Sequence, residues 1–301
     1  MKKTVLLLLM TAAFAAPAFA QEDIVATNEA LGFLRFERNP ARMAMAGAGA
    51  ASKIGGSAYA AFGNPAAAVR SPKKIEAGAS YAAWAPDINS STNIAAAASF
   101  KLGKAFAVSA GYASQKFDEL DLGESVYAPK DMVLAAGLSL SLGEFVSMGA
   151  SVNYAKEQLL EDYSYTGLGA DVILSYNKNS LGVAAGVRSL GGKVADSSLP
   201  TSAMAAAAWS FSAGPAELCV AADADYFFSG NWSAAAGLEV SVVEVVQLRA
   251  GYRLSSEHAV LPSHLALGAG FRLGPCTVDV AYLTASEYLG GTLTGGLTVA
   301  F

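Results

Sequence analysis

The chain is poor in the side chains that most reactions use. It holds two histidines, His258 and His264, and two cysteines, Cys219 and Cys276, in 301 residues. No Cys/His spacing matches a metal site, and no glycine-rich turn opens a helix that could cradle a phosphate. Ser255 and Ser256 lie near His258, but in a loop and with no acid spaced to orient the ring. Asp118, Glu119, Asp121 and Glu124 miss the EF-hand spacing and read as a solvated loop. Basic clusters are also missing, and the formal net charge of −5 leaves no footprint for nucleic acid. The expectation is a protein that is not an enzyme and carries no metal and no cofactor.

Long apolar runs are the next absence. Past the first twenty residues no stretch of about 18 apolar residues occurs, so no transmembrane helix is expected. Yet 53% of the chain is hydrophobic and its mean hydropathy is +0.37. Such apolarity without a helical span leaves a very apolar soluble core or a membrane barrel, in which alternation spreads apolar residues over many strands. The first twenty residues differ. Lys2 and Lys3 precede the apolar run Val5 to Met10, which Ala12, Ala13 and Phe14 extend, and Ala18-Phe19-Ala20 follows. This is the pattern of a secretory signal peptide over residues 1–20, cleaved after Ala20. No cysteine follows that site, so no lipoprotein anchor is expected.

What is present from Lys73 onward is period-2 alternation. Met132, Leu134, Ala136, Leu138, Leu140 and Leu142 share one face, as do Val246, Leu248, Ala250, Tyr252 and Leu254. Glycine, serine, alanine and charged residues fill the other positions, the pattern of transmembrane strands. About fourteen such segments follow one another, an even number suited to a single-chain barrel. They span 73–84, 92–101, 105–115, 130–142, 145–156, 164–177, 181–190, 200–212, 216–228, 232–242, 245–256, 262–273, 276–285 and 291–301. Tight turns such as Leu102-Gly103-Lys104, Gly143-Glu144 and Gly274-Pro275 alternate with longer polar loops, among them 116–129 and 191–199. That is the asymmetry of periplasmic turns and extracellular loops, and it puts both termini on the periplasmic side. The fold class is therefore all-β, a transmembrane antiparallel barrel over residues 73–301.

Aromatic residues near strand ends read as interfacial girdles: Tyr81, Trp84, Tyr112, Tyr154, Tyr176, Trp209, Tyr226, Trp232 and Tyr252. In the last strand Leu293, Leu297, Val299 and Phe301 share one face. That strand resembles the C-terminal signal read by the barrel-assembly machinery, which joins outer-membrane lipid as an expected partner. Parity turns Cys219 inward and Cys276 outward on strands that are not neighbours, so no disulfide is expected. Parity also turns Glu76, Asp171, Arg188, Asp223, Asp225, Glu239, Arg249, Arg253, His264, Arg272 and Asp279 inward. Neighbouring strands set side chains ~5 Å apart, so Glu239 with Arg249, and Arg272 with Asp279, are expected to pair. Such pairs make a structural lattice in a polar lumen. The alternative is a ligand path in which Arg249 and Arg253 grip a carboxylate.

Residues 21–72 do not alternate. Their glycines and alanines allow close packing against other backbone, so this segment is expected to form a hatch or plug inside or beneath the barrel. Asn64-Pro65 is a turn initiator with a fixed φ. Three stretches here carry a family resemblance. They are Phe33-Leu34-Arg35, then Asn39-Pro40-Ala41-Arg42-Met43-Ala44-Met45-Ala46-Gly47-Ala48-Gly49-Ala50-Ala51, then Asn64-Pro65-Ala66-Ala67. Together they resemble the start of PorV/PorQ outer-membrane proteins, grouped with the FadL-like long-chain fatty acid transporters. Ala46 departs from that pattern, which usually has glycine there. The resemblance implies fourteen strands and an N-terminal hatch, with Arg42, Met45, Gly47, Gly49, Asn64, Pro65 and Ala66 as its motif, and an origin in the Bacteroidetes. It implies one of two roles: passage of hydrophobic molecules, or type IX secretion with exported proteins as partners.

Overall fold

The structure, a computed structural model, describes residues 29–85, 90–121, 126–160, 162–286 and 288–301. The signal-peptide reading and its Ala20 site lie outside these residues. Fourteen strands close into an antiparallel barrel, each paired with the next in sequence. They are β1 (Ile75–Trp84), β2 (Ser91–Leu102), β3 (Phe106–Phe117), β4 (Lys130–Ser141), β5 (Val146–Gln158), β6 (Ser164–Lys178) and β7 (Leu181–Gly191), then β8 (Ser202–Ala213), β9 (Ala216–Phe227), β10 (Trp232–Val242), β11 (Val246–Ser255), β12 (His264–Leu273), β13 (Cys276–Thr284) and β14 (Leu293–Ala300). Each lies within two residues of its expected bounds. The seam pairs β14 with β1 from Glu76↔Ala300 to Ala83↔Leu293. Phe301 completes it: its N–H donates to the Ile75 carbonyl at 2.8 Å, and its carbonyl accepts from Lys74 at 2.6 Å. Closure leaves no edge strand in the barrel among the described residues.

Alternation makes the two faces. In β4, Leu134 and Leu138 are each 46% exposed, while Val133 and Ala135, on either side of Leu134, are buried. Leu174, Trp209, Leu248, Leu267 and Leu297 continue that outward apolar surface around the wall. A hydrocarbon layer is the environment in which such a surface is stable. Short turns close one end. Val243 and Glu244 there have φ of 46° and 59°, the left-handed pair that a tight hairpin requires.

Three local features depart from expectation. Trp84 is not a girdle residue: it lies on the inward parity of β1, is buried, and stacks on Phe36 with centroids 4.8 Å apart. The stretches expected as plain loops carry small hairpins, Leu120–Asp121 with Val126–Tyr127 and Lys193–Val194 with Ser197–Ser198. The β6–β7 register shifts between Ala170 and Val172. There the Asp171 carboxylate accepts from the Ser189 N–H at 2.6 Å and from Ser151 and Asn153 at 3.0 Å each. A bulge of this kind leaves a backbone donor to be satisfied by a side chain.

The segment before β1 runs along the inner wall. It begins among the long loops, where Glu29 bridges to Ser198. It ends among the short turns, where Arg70 donates to the Gly143 and Glu144 carbonyls at 2.9 and 2.7 Å. Among the described residues the segment therefore starts at the loop end and finishes at the turn end, where Phe301 also lies; the N-terminus itself falls outside the described residues. Small wall residues let it approach: a Cβ on Gly149 would strike the Pro65–Ala66 backbone, one on Gly182 the Ala51 carbonyl, and one on Gly251 the Met45 backbone.

Candidate functional site

Two Asn-Pro-Ala units shape the N-terminal segment. Asn39 caps the helix Pro40–Met43 and Asn64 caps the 3-10 turn Pro65–Arg70, each with proline at the first position. Each side-chain oxygen accepts from the N–H two residues on at 3.0 Å. Each amide nitrogen ties down a remote carbonyl, Gly55 at 3.2 Å for Asn39 and Ala50 at 2.8 Å for Asn64. Asn64 also reaches Ser175 on the wall at 3.0 Å. Gly149 lies against Pro65 and Ala66, so the motif's second unit is seated directly on β5.

The first unit leads into a tight turn aimed at β9. Ala46 and Gly47 have φ of 55° and 85° and Gly49 has 108°, all left-handed. The Gly49 and Ala50 N–H groups then donate to the Asp223 carboxylate at 2.8 and 2.9 Å. Successive N–H groups of this kind form a nest for an anion. Arg42 closes the turn by donating to the Gly47 carbonyl at 3.0 Å, and stands 3.2 Å from Glu37 and 3.6 Å from Asp223. Met45 is fully buried against Gly237 and Gly251. Arg253 donates to the Ala46 carbonyl at 3.0 Å and to Ser233 at 2.8 Å. Arg35 reaches Asp225 at 2.7 Å, and Ser202 donates to the same oxygen at 3.0 Å.

The remaining inward charges separate by depth. Arg249 binds Glu239 and Asp279, both at 2.6 Å, as a buried triad of three strands. This corrects the expected Arg272–Asp279 pair. The β12–β13 register sets Gly270 across from Asp279 and Arg272 across from Thr277, at the exposed turn end. Arg249 therefore has both its neighbouring carboxylates as partners, while Arg253 lies nearer the loops. Cys219 is buried, Cys276 half-buried, and both are free. Leu297 and Phe301 face outward with Val299 between them in parity, Phe301 being 66% exposed.

A cavity opens on the loop side of the Gly47 turn. Arg35, Arg42, Arg188 and Arg253 line it with Glu37, Asp223, Asp225 and His264. Met43, Trp84, Phe227, Val260, Leu261 and Leu283 supply its apolar walls. Its enclosed volume is about 50 Å³, room for a few waters.

No family model matches the sequence, and no curated protein matches it. Solved structures do. The Pseudomonas putida toluene transporter TodX superposes with a TM-score of 0.60 at 13% identity, over 87% of this chain and 98% of its own. A Pseudomonas aeruginosa FadL homologue gives 0.57 at 12%, over 93% and 100%. The CymD monoaromatic hydrocarbon channel gives 0.61 at 14%, over 88% and 97%. The barrel has a FadL-like fold. Within this FadL-like barrel the wall charges were readable by parity, but Arg35, Glu37, Arg38 and Arg70 were not. They belong to a segment without a period, and only its contacts with the wall say where they point. Arg38, for instance, donates to the Phe33 carbonyl at 2.7 Å and covers the Phe62 ring at 4.9 Å.

Proposed function

We propose that this protein is an outer-membrane barrel for passive passage of small hydrophobic molecules, non-enzymatic, with residues 29–72 acting as its hatch. One observation carries the reading. In a barrel of FadL-like fold, the lumen is occupied by a segment that the wall grips through separable polar contacts, Asp223 on the Gly49–Ala50 turn above all. The hatch motif Arg42, Met45, Gly47, Gly49, Asn64, Pro65 and Ala66 builds that contact surface. The apolar outer band supports insertion in lipid, and Leu297, Val299 and Phe301 are the surface offered to the assembly machinery. The resemblance of residues 33–69 to PorV/PorQ proteins supports a second reading, an accessory or cargo carrier of type IX secretion, which predicts exported proteins co-purifying with the barrel.

A reversible lock tests the first reading. Ser57 of the segment and Ser99 of β2 have hydroxyl oxygens 2.8 Å apart, close enough for a cross-link once both are cysteine. In a background lacking Cys219 and Cys276, Ser57→Cys with Ser99→Cys should block uptake of radiolabelled toluene by intact cells when oxidised. Reduction should restore it. If cells with the wild-type barrel take up toluene no faster than cells without it, passage of hydrophobic molecules is wrong.

A further inference from the structure

We propose that the outer face of β3, β4 and β5 binds the phosphate headgroup of an anionic lipid through Lys116, Lys130 and Lys156, at the loop-side edge of the membrane band. The inference does not depend on what crosses the lumen. Three observations carry it.

The first is register. Lys116 of β3 stands directly across from Lys130 of β4. Between β4 and β5, Lys130 meets Gln158 and Met132 meets Lys156. The three side chains therefore start from one patch on adjacent strands. Lys116 and Lys130 are ~5 Å apart at their β-carbons, and Lys156 lies on the diagonal from Lys130 at ~7–8 Å. All three share the parity of outward Tyr112, Leu134 and Tyr154. Lys116 and Lys130 are exposed and Lys156 is half-buried.

The second is the missing counter-charge. Like charges directly across two strands are destabilising, and nothing in the wall offsets them. None of the three amines has an ion pair among the described residues. The acids beside them in sequence, Asp131 and Glu157, have the inward parity. An anion outside the barrel supplies the missing charge. Ammonium groups on long flexible stems can gather around the oxygens of one phosphate.

The third is place. Lys130 and Leu142 mark the two ends of the outward face of β4. A rise of ~3.4 Å per residue and a tilt of ~40° set them about 30 Å apart along the membrane normal, slightly more than an apolar band about 25 Å tall. With Leu142 at one edge of that band, the lysines stand just beyond the other, where headgroups lie. Outward residues near the loops on other strands, such as Leu168, Tyr226, Trp232, Leu254 and Leu293, are exposed and uncharged. The lysines are thus a local cluster and not part of a ring that marks the whole interface.

Native mass spectrometry of the purified full-length barrel, released from detergent micelles, tests the proposal. Two chain-matched probes are used, dioleoyl phosphatidic acid and dioleoyl phosphatidylcholine. The barrel should retain phosphatidic acid at least about tenfold more tightly than phosphatidylcholine. Lys116→Gln, Lys130→Gln and Lys156→Gln together should erase that preference, and arginine at all three positions should keep it. Lys104→Gln with Lys178→Gln, at the turn end, should leave it intact. Heat-modifiable gel migration reports whether each variant is folded; if the triple glutamine variant is not, the wild-type comparison and the turn-end variant decide. Equal retention of the two lipids by the wild type overturns the proposal. So does undiminished preference in the folded triple glutamine variant, or loss of preference in the turn-end variant. Retention of inorganic phosphate in place of phosphatidic acid, when both are offered, would make the occupant a free anion and overturn it too.

Discussion

At the scale of single residues, polar side chains in the N-terminal segment do more than their size suggests. Asn64 makes three hydrogen bonds, to Ala66, Ala50 and Ser175. Asn64→Ala should therefore destabilise the seated segment by about 2–4 kcal/mol, combining a lost cap with an unsatisfied buried carbonyl. Asn64→Ser, which keeps only the capping oxygen, should recover part of the loss. Hydrogen exchange at residues 65–70 would show it, and unchanged protection in Asn64→Ala would refute the assignment. Ala46 holds a backbone conformation that favours glycine. Its φ of 55° is one that an L side chain adopts at a cost and glycine adopts freely. The buried Ala46 methyl offsets part of that cost by its packing.

At the scale of elements, the inner wall is shaped to receive backbone. Gly149 on β5 meets Pro65 and Ala66, whereas Gly192, just past β7, meets nothing within 4 Å. Gly149→Val should leave the barrel folded and heat-modifiable but expose residues 29–72 to protease. Gly192→Val should be silent in both assays. Protection as in wild type for Gly149→Val would mean that the segment does not rest there. The Arg249 triad is a different device. It ties β10, β11 and β13 together through one guanidinium shared by two carboxylates, and pairing is how buried charge is ordinarily carried. Its members stabilise the wall, whereas Arg253, two inward positions further toward the loops, contacts the segment.

At the scale of the whole molecule, the outward face has to match its solvent. Leu134, outward on β4 near mid-strand, is 46% exposed. Leu134→Arg should cost about 2–4 kcal/mol of barrel stability in a bilayer, the range for a charge near the midplane. Urea unfolding in lipid vesicles measures it. A cost near zero would mean that this face does not meet hydrocarbon. Closure adds a global constraint: because β14 pairs with β1, every barrel strand has two neighbours to pair its backbone with, as a membrane wall requires.

By itself the sequence determined the strands, their bounds and their faces. Alternation is a local property, readable wherever an apolar side chain recurs every second residue, and Leu134 or Leu248 needs no partner to declare its side. The inward burial of Trp84 was readable the same way, since it has the opposite parity to Tyr81, although its ring suggested a girdle. Tertiary structure decided what parity leaves open. Which charges pair depends on register, and a shift of two residues in β12 against β13 separates Asp279 facing Gly270 from Asp279 facing Arg272. The path of residues 29–72 depends on contacts with strands far away in sequence, from Asp223 to Ser175 to Ser147. The cavity exists only where that path leaves the wall uncovered. A segment with no period carries no address of its own, so its place comes from the glycines that admit it and the carboxylates that hold it.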